Sequence, residues 1–186
     1  GSFYDYIPYG YTEDSTGFFS FNSNKIYKHN SENSFGVFYD SIKYPFIVDI
    51  VYNDNAVQPK IWNSFSYLSK FTDLNQNIDY LKTFDKYTTY NSYQISKTND
   101  LVNLSTARYV NGVWNVSQFR NIRNDYSTPV YDKDYNLYNN VDLTKAYNFR
   151  DTMNDKFMVA RLEFENNNQG ILSLQYSDSF NQPKIR

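Results

Sequence analysis

The tetrapeptide Val110-Asn111-Gly112-Val113 constrains the fold more than any other stretch of this chain. Asn and Gly accept the positive φ that both central residues of a type I′ turn need, and the twist of that turn matches the twist of two antiparallel strands. In a two-residue hairpin Tyr109 stands opposite Trp114, an aromatic cross-strand pair. Composition extends the same bias over the rest of the chain. The 186 residues include 20 Tyr, 15 Phe and 25 Asn but only 4 Ala. Tyr and Phe suit strands and Asn suits turns, while alanine is the best helix former. The expectation is a mainly β fold, an antiparallel β-sandwich or distorted barrel with at most one or two short helices. A chain of this length buries roughly 70% of its unfolded surface and folds without disulfide or metal.

Along the chain, Gly1-Ser2 reads as the scar of a removed tag, and residues 1–16 as an extended N-terminal arm without periodicity. Residues 17–186 then form a single β-rich domain, expected to be a fragment of a longer protein. Strands are predicted at 17–21, at 36–40 and over Pro45 to Tyr52, whose unbroken apolar run suggests a strand covered on both faces. Asn53-Asp54-Asn55 supplies a turn, and Lys60 to Leu68 alternates as a strand that pairs back. Residues 77–96 read as two further strands and 126–140 as a loop. Asp142 to Asp155 is the best helix candidate, with Asp142 as cap and Leu143, Ala146, Tyr147, Arg150 and Met153 on one face. Phe157 to Tyr176 is predicted to be a second hairpin. Met158, Ala160, Leu162 and Phe164 share its apolar face with Leu172, Leu174 and Tyr176, and 166–170 form the loop.

Several chemistries are excluded outright. With no cysteine there are no disulfides and no thiolate sites, and His29 as the single histidine removes His-pair zinc motifs. A net charge of −2 is not the footprint of a nucleic-acid binder, and no apolar run approaches the length of a membrane span. Asp132, Asp134 and Asn136 imitate the start of a calcium loop, but Leu137 and Leu143 stand where the EF-hand needs Gly and Glu. His29 lacks a nucleophile-elbow motif to serve. Glu163 and Glu165 lie two apart on a strand, the solvent face of a hairpin before they are a glycosidase pair. Asn103-Leu104-Ser105 and Asn115-Val116-Ser117 match the glycosylation triplet, as an Asn-rich chain does by chance. No catalytic, cofactor or metal residues are assigned, and the chain reads as no enzyme. Trp62, Trp114 and Tyr109 are the candidate interaction aromatics. Exposed, they suit a carbohydrate-binding β-sandwich module, the alternative reading; otherwise such rings build core and subunit contacts.

Taken in order, several segments resemble one family. They are Lys25-Ile26-Tyr27-Lys28-His29-Asn30, Gly36-Val37-Phe38-Tyr39, Ile47-Val48-Asp49-Ile50-Val51-Tyr52-Asn53 and Lys60-Ile61-Trp62-Asn63-Ser64. An Asn/Tyr-rich middle follows, then Arg150-Asp151 and Lys156-Phe157-Met158-Val159-Ala160-Arg161-Leu162-Glu163-Phe164. This set resembles the tail muzzle, or stabilisation, proteins of crAss-like phages that infect gut Bacteroidetes. The chain departs from that family at Tyr27, where Trp is usual, and at Asp40, where Gly follows the aromatic pair. The resemblance implies a structural virion protein that closes the DNA exit channel of a short tail. It implies no cofactor and no membrane, and as partners other tail subunits in a ring of the full-length protein, with transient contact to packaged DNA. The isolated domain would be a monomer, and the location the virion, assembled in the bacterial host cytoplasm.

Overall fold

A computed structural model describes residues 8–29, 37–38, 42–101, 107–117, 119–124, 126, 129–130, 142–165 and 170–183, with the backbone alone at 37–38 and 42–43. Its described part is mainly β, built from antiparallel sheets, as the composition implies. No helix among the described residues is long and apolar enough to cross a membrane.

The first unit is a three-stranded meander of β1 (Gly10–Asp14), β2 (Gly17–Asn22) and β3 (Lys25–Lys28). Both of its turns are two residues long, and Ser23 and Asn24 take positive φ values of 49° and 62°. The expected arm therefore contains a strand, with Tyr11 opposite Ser20. The sequence Gly-Tyr-Thr-Glu-Asp hides it because its side chains stay largely in solvent and leave no apolar alternation. Val37–Phe38 (β4) and Ile42–Lys43 (β5) pair as a two-stranded ribbon; the rest of the strand expected at 36–40 lies outside the described residues.

The body consists of two larger sheets. One has the order β10-β9-β14-β6, from Asn99–Asp100, Lys86–Tyr90, Met158–Phe164 and Phe46–Tyr52. The other is built on β7, a 14-residue strand at Lys60–Asp73. Along one flank of β7 runs β15 (Gly170–Pro183); the other flank takes β13 (Asn154–Asp155), β12 (Val113–Val116) and β8 (Ile78–Asp79) in turn, with β11 (Ala107–Val110) beyond β12. The sheets meet where Tyr52 at the end of β6 hydrogen-bonds Ser177 of β15. Between them lies an aromatic core. Trp62, Phe65, Tyr67 and Phe71 project from β7 toward Tyr87 of β9 and Met158, Ala160, Leu162 and Phe164 of β14. Phe65 sits at its centre, with the rings of Tyr52, Tyr67, Tyr87 and Phe119 all about 6 Å away. Such ring pairs add specific geometry to the area they bury.

The predicted Asn-Gly hairpin is present. Asn111 and Gly112 have φ of 52° and 85°, Val110 pairs Val113, and Tyr109 faces Trp114 with ring centroids 5.3 Å apart. Four other expectations are corrected. Phe157 to Tyr176 is no hairpin: β14 pairs β6 and β9, while β15 crosses to the other sheet and pairs β7. The strand at 60–68 likewise does not pair back on β6, because the connection at 53–59 carries the chain between sheets. β6 is not covered on both faces. Among the described residues it is an edge strand, whose Val48 and Ile50 pack on the core while Val51 is 61% exposed. Finally, the helix expected at Asp142 to Asp155 is absent; one turn of 3-10 helix at Tyr147–Phe149 and the short β13 replace it. Asp142 Oδ1 accepts from the backbone N–H and hydroxyl of Thr144, folding the chain into a turn rather than capping a helix. The sheet then claims the backbone that a helix would use: Met153 C=O accepts from Trp62 N–H and Asp151 C=O from Asn121 N–H. Of the two strands expected at 77–96, β9 forms; the rest contributes β8, a bridge of Tyr90 to Ile95 and a bridge of Ser96 to Asn121.

On β14 the expected apolar face is buried as a set. On β15 Leu172 and Leu174 also pack against the core, but a bulge between Leu174 and Tyr176 inverts the alternation. Tyr176 is consequently 52% exposed, and Ser177 takes the inward position. A bulge adds one residue to one strand, so every later side chain changes face.

Candidate functional site

Trp62 and Trp114 are core residues, only 2% and 3% exposed. Their indole N–H groups donate to the carbonyls of Asp155 and Tyr80 at 3.2 and 3.3 Å. The ammonium of Lys60 lies 5.2 Å from the Trp62 ring centroid and donates to Lys156 C=O. Neither indole offers a face on which a sugar could stack, so the aromatic platform of a glycan-binding module is missing at these two positions. Tyr109 is half-buried against Trp114 and belongs with it to the wall of a cleft.

That cleft has a volume of about 810 Å³ and opens between the β8–β9 connection and the β11–β12 hairpin. The connection is shaped locally: Asp79 Oδ1 accepts from the N–H groups of Leu81 and Lys82 at 2.8 and 3.2 Å. Thr83 then turns its hydroxyl inward, where it hydrogen-bonds Tyr67 and Ser69, each at 2.9 Å. This anchor directs Phe84 into the core, edge-on to Tyr67 at 5.7 Å. Leu101 is held by its N–H bond to Asp85 C=O. Phe84, Leu101, Ala107 and Trp114 thus form a buried floor, and the exposed Leu81 and Val110 form its rim. The Lys82 ammonium sits 3.9 Å from the Phe71 ring centroid, and Arg108 stands on the hairpin side. Burial in this core lifts the phenols of Tyr67 and Tyr87 far above their ordinary range.

His29 and Ser20 share a 2.6 Å hydrogen bond within the meander, a pairing the sequence did not signal. Partial burial lowers the His29 pKa, which keeps the imidazole neutral. Ser20 is fully buried. Glu163 and Glu165 are held by structure: Glu163 pairs with Ile47 and Lys86 across the ladder, and Glu165 forms a 2.8 Å ion pair with Lys86. Arg161, on the same face as Glu163, grips Asp49 with two 2.8 Å bonds. Asn115 of the second glycosylation triplet sits on β12 and donates to Val113 C=O. Asp132, Asp134, Asn136 and the triplet at Asn103 lie outside the described residues. No group of three or more His, Asp or Glu side chains among the described residues is placed to hold a metal ion.

The sequence also gave no sign of a polar stitch at 91–154. Asn91 binds Gln94, Gln94 accepts from Asn154 N–H at 2.6 Å and donates to Thr152 C=O, and Asn121 satisfies the N–H groups of Ile95 and Arg123. These buried amides substitute for ladder hydrogen bonds where the strands stop. The general abundance of Asn was the only available signal, and it does not distinguish a buried amide from a surface one. No family model and no curated protein matches this chain.

Proposed function

We propose that the chain is a structural domain of a phage tail, part of a muzzle or stabilisation protein that closes the DNA exit channel. On this reading it catalyses nothing and works by contact with neighbouring subunits. The family resemblance supplies the assignment. The observation that supports it best is the run of exposed apolar side chains along both edges where the sheets meet. Phe46, Ile47 and Val51 line β6, and Ile171, Tyr176 and Phe180 line β15. Exposed apolar edge strands are a hazard for a free monomer and are suited to burial in an assembly. Rings are built from repeated heterologous contacts, so one edge of a subunit meets a different surface of the next. A net charge of −2 suits a channel wall that must release DNA, since a basic lining would hold it through counterion release.

Light scattering on this chain and on its parent chain tests the proposal. The expected result is a monomer for the chain alone and a closed oligomer for the parent. A parent chain that stays monomeric at high concentration contradicts it.

A further inference from the structure

We propose that the outer face of the β7 sheet, between β11 and β15, pairs with the same face of a second copy of the chain. The ladder registers set Arg108, Asn115, Ser66 and Asp178 in one row across β11, β12, β7 and β15. The row faces away from the core, because the residues that alternate with it, Ala107, Trp114, Val116, Phe65 and Tyr67, are the buried ones. A cation stands at one end of the row and a carboxylate at the other, both exposed. Neither makes an ion pair among the described residues. Asp178 is fixed by its own strand, accepting from the Tyr176 hydroxyl at 2.9 Å and from Ser179 N–H at 2.7 Å, with acceptor capacity to spare. An apolar row runs beside the charged one. Val110 pairs Val113, Leu68 pairs Tyr176, and the Trp114–Tyr67 register brings Val113 next to Leu68. Its two ends, Val110 and Tyr176, are 51% and 52% exposed.

The charges select a second copy as the occupant. When two such faces meet, a twofold axis running along the strands midway between β12 and β7 exchanges the ends of each row. Arg108 of one copy then stands over Asp178 of the other, and the reverse, so one contact makes two opposite-charge pairs. The same rotation lays Val110 on the other copy's Tyr176 and Leu68 on the other copy's Val113, which removes apolar area from water. Strands aligned across the contact are an ordinary way for two sheets to pack. A partner carrying a single sign of charge would meet a like charge at one end of the row. The patch is small: β11 and β12 are four residues long, and four strands span only about 14 Å. It falls well short of the roughly 800 Å² per partner of a stable complex, so a Kd of about 1 mM is expected and the chain stays monomeric at micromolar concentration. The pairing is independent of the ring contacts proposed for the sheet edges.

The test uses the full 186-residue chain, its Arg108→Asp and Asp178→Arg variants, and an equimolar mixture of the two variants. Two-dimensional NMR over about 0.05–2 mM protein follows the backbone N–H groups of Ser66, Leu68 and Asn115, with Val51 on β6 as the control. The unaltered chain should show concentration-dependent shifts at the first three and none at Val51. Each variant alone sets like charges against each other at both ends of the row and should associate at least about tenfold more weakly. The mixture restores opposite charges at both ends and should recover the original association to within about threefold. Both positions are exposed, so the melting temperatures should stay unchanged. Absence of shifts in the unaltered chain at the highest concentration overturns the proposal, as do shifts at Val51 that spare Ser66 and Leu68. So does a variant that associates alone as tightly as the unaltered chain, or a mixture that associates no more tightly than its components.

Discussion

The β11–β12 and β14–β15 connections carry the same kind of sequence signal and end differently. Each joins two strands of apolar alternation through residues that favour turns. The first link, Asn111-Gly112, is two residues long, and its strands pair with each other. The second spans 165–169, and its strands part to different sheets. The meander follows the first pattern, with two-residue links throughout, and the seven residues between β6 and β7 follow the second. Alternation states which side chains face the core. A two-residue turn also names the partner strand, because no other geometry fits; a longer link leaves that choice to the packing of the sheets.

The largest single-residue effect should come from β14, which lies between two partner strands in its sheet. Leu162 is fully buried on β14, and Leu162→Ala should cost about 2–5 kcal/mol in thermal or denaturant unfolding. The two glycines of the two connections sharpen the comparison. A Cβ on Gly170, at the start of β15, would lie 2.1 Å from Thr72 O and 2.9 Å from Asp73 Cα on β7. Gly170→Ala must push β15 off its neighbour and should cost about 3 kcal/mol, the upper end for overpacking. Gly112 instead has open space around its Cβ position and is needed only for its φ of 85°. Gly112→Ala should therefore cost about 1 kcal/mol.

Alkali should act on the seam between the sheets. Burial pushes the Tyr52 phenol up to about 12, the Ser177 hydrogen bond offsetting only part of this. The unfolded state loses the same proton near pH 10. Between pH 10 and 12 the unfolded chain thus binds fewer protons than the folded one, and stability falls as pH rises. Below pH 10 the contribution is fully present. Urea midpoints measured across this range should decline, and Tyr52→Phe should make the decline shallower. The smallest effect belongs to the outer face of β15: Phe180→Ser should change stability by no more than about 0.5 kcal/mol, because Phe180 is exposed.

The fold class was legible because Tyr, Phe and scarce Ala bias every segment toward strands, and the β11–β12 register because the Asn-Gly turn dictates it. The buried face of β14 was legible from its alternation. The outward turn of Tyr176 was not, since it follows from a bulge that pairing with β7 imposes. The apolar run of β6 did not reveal an edge strand, because strand order depends on long-range pairing. The missing helix at 142–155 is a case of tertiary competition, in which the carbonyls of Asp151 and Met153 serve Asn121 and Trp62. Tyr109 and Trp114 were legible as a pair. Their cleft was not, because Leu81, Lys82 and Phe84 arrive from another sheet edge through the side-chain bonds of Asp79 and Thr83.

The placement of consecutive strands β14 and β15 in different sheets is tested by cross-strand nuclear Overhauser contacts in the isotope-labelled chain. Backbone contacts of Ala160 with Ile50 and Thr89, and of Leu172 with Phe71, are expected from the ladder registers. Backbone contacts between residues 158–164 and 170–176, the pattern of a hairpin, would contradict it.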